Sequence, residues 1–355
     1  MEGCRLALDP NCRINHFSES AYGPKGHGVE TAFRELVSAQ RRLGRQVQTN
    51  ATGHDGVLHV HTIGPMSALR LVRHQGLAVA SAHITLESLD GSVRGERRAR
   101  AALRRYMRNV YSSADLVLAV SRNVRAELES LGVTAPIELL PNGIDPTPFE
   151  PTMARKARAR AALRIGADQF VVLGVGQLQP RKGIAEFLSC ARHMREDRFL
   201  WVGSALFGAM SASRGTISRA VRDSPPNVTF VGQVPREEIA RYYHAADVFL
   251  LPSRHETFGL AAVEAGIAGL PLVLWDIPAA SDVFGHVHGA CATARDTAGL
   301  VREIRALKKS PEARHARGAA AREASLSYGS AAVATRSLEI YAHAVEAKRI
   351  VPGRY

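Results

Sequence analysis

Two glutamates, Glu256 and Glu264, stand with seven residues between them in the stretch Ser253-Arg254-His255-Glu256-Thr257-Phe258-Gly259-Leu260-Ala261-Ala262-Val263-Glu264-Ala265. The stretch follows an apolar run, Val248 to Leu251, closed by Pro252. A strand entering a turn and then a helix is the expected path. Thr257 can act as the helix N-cap or sit just before it, and Gly259 lets the backbone approach a ligand closely. The first free N–H groups of such a helix form an anion site suited to a diphosphate. Glu256, in the loop before the helix, can reach a sugar, while Glu264, two turns on, points toward a different part of the same ligand. Sugar and ribose hydroxyls both need acceptors, which two carboxylates at this spacing supply. Taken alone, the pattern favours that reading over an ordinary helix start with a capping glutamate and a solvated one.

Cations stand upstream. In Gly174-Val175-Gly176-Gln177-Leu178-Gln179-Pro180-Arg181-Lys182-Gly183, Arg181 and Lys182 are paired in a glycine-flanked loop after the run Phe170 to Val175. They can neutralise two phosphates and the charge that grows on a leaving diphosphate. Nearer the N-terminus, Gly23-Pro24-Lys25-Gly26-His27-Gly28-Val29 is a glycine-rich loop that is not the dinucleotide fingerprint. His83 ends the apolar run Ala78 to Ala82, a place where a histidine is more often a satisfied core residue. Seven arginines (Arg94, Arg97, Arg98, Arg100, Arg104, Arg105 and Arg108) face a single acid, Glu96, across Arg94 to Arg108. Ala99, Ala102, Leu103, Tyr106, Met107 and Val110 recur among them at helical spacing. That is an amphipathic helix with a cationic face, suited to an anionic membrane or to ordinary packing with solvated arginines.

The elements that must position these groups alternate. Arg13–Phe17, 57–60, 78–82 and 116–120 read as buried strands, each followed by a helical pattern such as Gly28 to Leu43. Such alternation predicts βαβ units and a parallel sheet. The turn cluster Pro141-Asn142-Gly143-Ile144-Asp145-Pro146 breaks it. After a basic helix over 155–164, strands are predicted at 170–175, 199–202, 228–231, 248–251 and 272–274, with a helix over 184–194 between the first two. Helices over 311–324 and 330–349 close the chain. The fold class is therefore α/β with two doubly wound parallel-sheet domains, 1–148 and 149–330, and a C-terminal helix of about 331–355 expected to pack back on the first. A chain of 355 residues is too long for one ordinary core and comfortable for two.

No early apolar core reads as a signal peptide, because Glu2, Asp9, Asn11, Arg13 and Asn15 interrupt it. No apolar run approaches the ~20 residues needed to span a bilayer. Cys4, Cys12, Cys190 and Cys291 lack metal-ligand or disulfide spacing and are expected to be reduced thiols of a cytoplasmic protein. The net charge of +13 favours polyanionic partners, among them phosphorylated substrates, membranes and nucleic acid. The last is set aside, because no nucleic-acid motif is found and aromatics are only 6%.

The span from Glu256 to Glu264 resembles the paired-glutamate motif of the retaining GT-B glycosyltransferases of family 4. Further landmarks fall in that family's order: Pro141-Asn142-Gly143-Ile144-Asp145, the Gly174 to Gly183 loop, Asn227-Val228-Thr229-Phe230-Val231-Gly232, and Ala245-Ala246-Asp247-Val248-Phe249-Leu250-Leu251-Pro252-Ser253. The resemblance covers nearly the whole chain. It implies two Rossmann-like domains facing a cleft and transfer of a hexose from a nucleotide-sugar with retained anomeric configuration. It also implies a catalytic site with Glu256 and His83 at the sugar. Arg181, Lys182, Gly26, Gly28, Thr257, Phe258, Gly259 and Leu260 would lie at the donor phosphates, and Glu264, Gly203, Ser204 and Val234 at the nucleotide. Donor phosphate and acceptor hydroxyl would share one face of an oxocarbenium-like sugar, with the leaving phosphate helping to take the acceptor proton. No metal or other cofactor is expected, since the chain lacks an Asp-x-Asp motif and cations plus a helix N-terminus can take a metal's place. Where Gln177 stands the family usually carries arginine, which would shift phosphate clamping to Arg181.

Shorter N-terminal segments, Phe17-Ser18-Glu19-Ser20, Lys25 to Phe33, His59-Val60-His61-Thr62-Ile63 and Ser88-Leu89-Asp90-Gly91-Ser92-Val93, are similar to bacterial enzymes that add a second hexose to monoglycosyl-diacylglycerol. That likeness implies UDP-glucose or UDP-galactose as donor and a glycolipid acceptor at the inner face of the cell membrane. Tyr22, His27, Thr62 and Asp90 then become acceptor-side candidates, and Arg97, Arg98, Arg100, Arg104, Arg105 and Arg108 membrane-binding ones. A soluble family-4 transferase acting on a small sugar or natural product stays open beside it. A dinucleotide oxidoreductase has only the sheet pattern in its favour.

Overall fold

A computed structural model of the chain describes residues 8–22, 28–89, 97–204 and 214–350. Two compact units emerge, one of Met1–Leu86, Gly95–Asp145 and Tyr328–Tyr355, the other of Glu87–Arg94 and Pro146–Ser327.

The first unit alternates β1 (Ile14–Phe17), α1 (Gly28–Arg42), β2 (Val47–Thr49), β3 (Val57–Val60), α2 (Pro65–Arg73), β4 (Leu77–Ala82), α3 (Arg97–Ser112), β5 (Leu116–Ala119), α4 (Arg122–Leu131) and β6 (Ile137–Leu139). Its sheet runs β2-β1-β3-β4-β5-β6, every pair parallel. Parallel strands covered on both faces bury every residue, as β1, β3, β4 and β5 do. In α1, Ala32, Phe33, Leu36, Val37 and Ala39 recur at helical spacing and are buried. The last α-helix of the chain completes this unit. Its Val333, Ile340, Tyr341 and Ala342 join Ile14, Val57, Val79, Leu116 and Leu118 in one core. At the unit's boundary Ile144 pairs with Gly329, through Ile144 N–H to the Tyr328 carbonyl at 3.0 Å and Ser330 N–H to the Ile144 carbonyl at 2.9 Å. This stitch sets the junctions at Asp145 and Tyr328, slightly earlier than the turn residues alone suggest.

The second unit holds α5 (Met153–Ala162), β7 (Val171–Val175), α6 (Ile184–His193), β8 (Arg198–Val202), α7 (Arg214–Arg222), β9 (Val228–Gly232), α8 (Ala240–Ala245) and β10 (Val248–Leu251). It continues with α9 (Leu260–Ile267), β11 (Leu272–Trp275), α10 (Pro278–Phe284), β12 (Cys291–Ala294), α11 (Thr297–Lys309) and α12 (Pro311–Leu326), before α13 (Ser330–Ile350) returns to the first unit. Its sheet runs β12-β11-β10-β7-β8-β9, again parallel throughout. Strand order therefore reverses between β7 and β10, and in such sheets ligands bind outside the carboxyl ends of the strands at this reversal. The other end of that pair is pinned by Asp247, which accepts from Val171 N–H at 2.9 Å and pairs with Lys156 at 2.7 Å and Arg160 at 3.2 Å.

Three strands escape the sequence pattern: β2, β6 and β12. All are sheet edges of three or four residues. Cys12, Cys190 and Cys291 are free thiols, and Cys4 lies outside the described residues.

Candidate active site

The two loops at the β7/β10 reversal are fastened to each other. The N–H of Arg254 donates to the Arg181 carbonyl at 2.8 Å, and Arg181 Nη1 donates to the His255 carbonyl at 3.2 Å. Gly183 sits at φ +72°, and a Cβ there would lie 2.1 Å from the Pro252 carbonyl oxygen, so glycine is required for the approach. The result is a direct ion pair: Lys182 Nζ donates to Glu256 Oε1 at 2.6 Å, with the two side chains only 13% and 12% exposed. Burial alone would raise the Glu256 carboxyl, but the Lys182 and Arg181 cations more than offset it and hold the group below the usual carboxylate range. Burial draws the Lys182 ammonium down, helped by Arg181 and opposed by Glu256. Arg181 is itself steadied by Gln179 Oε1, which accepts from its Nε at 2.9 Å, and Gln179 Nε2 donates to Gln177 Oε1 at 2.7 Å. The residue at the position where arginine is expected thus helps orient Arg181.

The helix after this loop begins later than Thr257. Gly259, in the left-handed region at φ +87°, is the N-cap of α9, and Thr257 and the buried Phe258 precede it. Ala262 N–H already donates to the Gly259 carbonyl at 2.9 Å, so Leu260 and Ala261 supply the first amides at this helix end. A pocket at the carboxyl ends of β10 and β11 is lined by Glu256, Phe258, Gly259, Trp275, Ile277 and Phe284 among others. Glu264 is buried and already engaged: its Oε2 accepts from Tyr243 OH at 2.7 Å, and its Oε1 pairs with Arg236. Burial and the Glu264 charge push the Tyr243 hydroxyl well above its ordinary value, so it stays a proton donor to that carboxylate. A ribose hydroxyl arriving at Glu264 would share it with Arg236 and Tyr243. Gly203 and Ser204 follow β8 and Val234 follows β9. Gly203 N–H donates to the Gly232 carbonyl at 2.8 Å, and Leu178 N–H to the Ser204 carbonyl at 3.1 Å, so the loops after β7, β8 and β9 are tied together. Arg236 and Trp275 were not singled out from sequence. Each follows or ends a strand at its carboxyl terminus, which is the signal that could have found them.

In the first unit His83 directly follows β4 and lies 3.1 Å from His61 through Nε2. His16, His59 and His61 bring ring nitrogens within 4.8 Å of one another, a grouping able to hold a metal. Each of those nitrogens nevertheless has a hydrogen-bond partner: His16 with His61 and Gln40, His61 with His16 and His83, His59 with Tyr341 and Ser81. The cluster is thus built as a hydrogen-bond network. Thr62 lies in the loop between β3 and α2, where its Oγ1 accepts from Glu19 N–H at 3.1 Å and contacts Ser67 Oγ at 2.8 Å. Glu19 in turn caps α2, accepting from Met66 N–H at 2.7 Å, since the N-cap there is Gly64 with no side chain of its own. Thr62 is therefore part of a helix cap, a structural duty not legible in its sequence context. Tyr22 ends a 3-10 turn, Gly28 opens α1, and Gly26, His27 and Asp90 lie outside the described residues.

The basic helix is α3. Its Met107, Val110 and Tyr111 are buried, while Arg100, Arg104, Arg105 and Arg108 are exposed. Arg97 and Arg98 belong to its first turn. The C-terminal half of α3 thus gives Met107, Val110 and Tyr111 to the core, while Ala102 and Tyr106 are exposed beside the outward arginines. An apolar stripe that sequence reading overlooked lies nearby on α2. Met66, Leu69 and Val72, at helical spacing, are 48%, 49% and 71% exposed. Tyr106 of α3 donates from its hydroxyl to the Ile63 carbonyl at 2.6 Å, joining the two helices' surfaces. Among the described residues no helix is long and apolar enough to cross a membrane.

Known proteins fit this geometry. Residues 26–148 match the model of Glycosyltransferase Family 4, and residues 155–324 match that of Glycosyl transferases group 1. The alpha-galactosylglucosyldiacylglycerol synthase of Streptococcus pneumoniae is 29% identical over 272 residues, covering 75% of this chain and 72% of its own. A D-inositol 3-phosphate glycosyltransferase of Kineococcus radiotolerans is 31% identical over 257 residues, covering 67% of this chain and 59% of its own. In structure the chain is similar to the Anabaena protein HepE, solved in complex with UDP-glucose, with a TM-score of 0.77 at 17% identity, over 94% of this chain and 100% of the other. Two six-stranded parallel sheets, each matched by its own family model in the expected order, make this chain a member of the GT-B glycosyltransferases, with a family 4 domain followed by a group 1 domain.

Proposed function

We propose that the chain moves a hexose from a nucleotide-sugar, UDP-glucose or UDP-galactose, to a membrane glycolipid such as monoglycosyl-diacylglycerol, with retention of configuration and without a metal. The observation that carries this reading is the Lys182–Glu256 pair, flanked by Arg181 and by the start of α9, at the strand reversal of the second unit. Arg181, Lys182 and the first amides of α9 hold the diphosphate and stabilise the charge that develops as it leaves. Glu256, kept ionised by its cations, accepts from sugar hydroxyls and stabilises the oxocarbenium-like centre. Once diphosphate competes for Lys182, the carboxylate is released toward the sugar. Glu264 with Gly203, Ser204 and Val234 takes the nucleotide, and His83 contacts the transferred sugar. The leaving phosphate accepts the proton of the attacking hydroxyl, so both bonds lie on one face and configuration is retained.

The acceptor assignment draws on the Streptococcus pneumoniae relative and on a surface that suits anionic lipid at the inner face of the cell membrane. The α3 arginines attract headgroups, and Met66, Leu69 and Val72 of α2 supply an apolar stripe to enter the interface. The inositol phosphate relative favours a second reading, a transferase acting on a small soluble sugar. Transfer assays with each UDP-hexose decide between them. Activity that rises on vesicles carrying monoglycosyl-diacylglycerol, survives EDTA and gives an α-anomer product supports the first reading. Activity on inositol phosphate or free sugars, indifferent to vesicles, supports the second.

A further inference from the structure

One unbroken line of hydrogen bonds crosses the core of the first unit. His83 Nε2 lies 3.1 Å from His61 Nδ1, His61 Nε2 lies 2.9 Å from His16 Nδ1, and His16 Nε2 lies 2.8 Å from Gln40 Oε1. Gln40 Nε2 donates to Ser337 Oγ at 2.8 Å, and the Ser337 hydroxyl donates to the Ala334 carbonyl at 2.6 Å. The line starts on α13, passes through α1, β1 and the end of β3, and finishes just past β4. His16, His61, Gln40 and Ser337 are buried throughout.

The far end gives the line its direction. A carbonyl only accepts, so the Ser337 proton points at Ala334, and Ser337 Oγ can then only accept from Gln40. Gln40 must turn its NH2 toward Ser337 and its Oε1 toward His16. An amide oxygen also only accepts, so His16 carries its proton on Nε2. Burial drives the His16 pKa down to about 4, so the ring is neutral and its Nδ1 is a bare acceptor. His61 must therefore donate from Nε2. Burial and the neighbouring histidines push His61 well below its ordinary value as well, which leaves its Nδ1 bare. The remaining contact requires His83 to donate from Nε2.

We propose that this line is a tautomer lock: Gln40, His16 and His61 hold His83 with its proton on Nε2, so that its Nδ1 lone pair accepts a hydrogen bond from a hydroxyl of the bound sugar. The three are positioning residues, acting through His83. The inference rests on the reading of His83 as a sugar contact, and it explains why neutral histidines are stacked behind that residue. Reversing the line would place the His83 proton on Nδ1 and turn an acceptor into a donor.

Nitrogen NMR of ring-labelled histidine in the ligand-free, full-length protein reads each tautomer directly, with His83 assigned by its loss in His83→Asn. The wild type should show His83 protonated on Nε2. Gln40→Met removes the acceptor facing His16, and Ser337→Ala removes the hydroxyl that orients the Gln40 amide. In both, His83 should become a mixture of tautomers while thermal unfolding stays cooperative. Turnover should fall about tenfold, the worth of one mispaired hydrogen bond in the transition state, with UDP affinity unchanged. Ser337→Thr keeps a hydroxyl and should restore both the wild-type resonances and turnover. A wild-type His83 protonated on Nδ1, or a His83 tautomer indifferent to both Gln40→Met and Ser337→Ala, overturns the lock. Undiminished turnover in His83→Asn would instead remove the sugar-contact reading, while the wild-type resonances still report whether the line is directed as described.

Discussion

Glu256 and Lys182 form the residue pair on which the account turns, and the two should fail differently. Glu256→Gln keeps shape and hydrogen-bonding capacity but removes the charge that faces the sugar. Turnover should drop on the order of a hundredfold, as for loss of one preorganised charged group, with UDP binding retained. Lys182→Met should instead weaken UDP binding and leave Glu256 buried with one cation fewer, which raises its carboxyl toward the ordinary range. Near-normal turnover of Glu256→Gln in a hexose-release assay contradicts its role. These two residues were legible in the sequence because loop glycines and a strand–turn–helix pattern frame them. The histidine line was not. His16 lies within β1 while His61 and His83 follow β3 and β4, and only the β1-β3-β4 order places them in a row. His59 and His61, two apart in a buried run, share one strand face, a hint that alternation offers but does not interpret. The engagement of Glu264 by Arg236 and Tyr243 was equally hidden, because three separate elements meet there.

At the scale of elements, the long buried strands and amphipathic helices were readable and the sheet edges were not. Strands β2, β6 and β12 are three or four residues long and partly exposed, too short for an apolar run to declare them. Neither could sequence decide what α3 does with its apolar side. The structure commits Met107, Val110 and Tyr111 to the core and leaves Arg100, Arg104, Arg105 and Arg108 outside. On the proposed membrane reading, α3 contributes its exposed arginines and α2 its apolar stripe. Replacing Arg104, Arg105 and Arg108 with Ser should weaken sedimentation with anionic vesicles and flatten its salt dependence. Changing Met66, Leu69 and Val72 to Ser should weaken vesicle binding at all salt concentrations. Both sets should alter stability by less than about 0.5 kcal/mol per site, since the side chains face solvent. Unaltered vesicle binding in both variants contradicts the membrane surface. One position between elements should behave oppositely: Gly183→Ala must relieve both a positive φ and an impossible contact with Pro252, and is expected to cost about 2 kcal/mol or more in urea unfolding.

For the whole molecule, buried neutral histidines make stability depend on pH. His16, His59 and His61 are all held well below their ordinary value of 6.5, mainly by burial, His16 at about 4. Below that ordinary value the unfolded chain binds protons that the folded chain refuses. Their contribution is therefore complete above it and is lost as pH falls toward the folded values. For His16 the loss is on the order of 2 kcal/mol by about pH 5. Urea midpoints should fall steeply over that interval, and a His59→Gln variant should fall less. A midpoint flat from about pH 7 to pH 5 contradicts neutral burial.

The central claim, that the site at the carboxyl ends of β7 and β10 binds a nucleotide-sugar diphosphate, is tested most directly by thermal shift. The wild type would be melted with UDP, GDP, ADP, their hexose conjugates and NAD. At about a hundred times its Kd, one nucleoside diphosphate family should stabilise the protein by about 2.7 kcal/mol. UDP and its hexose conjugates are the family expected, and Lys182→Met should lose that shift. Stabilisation by NAD with no response to any nucleoside diphosphate would contradict the account and leave only a Rossmann-type sheet.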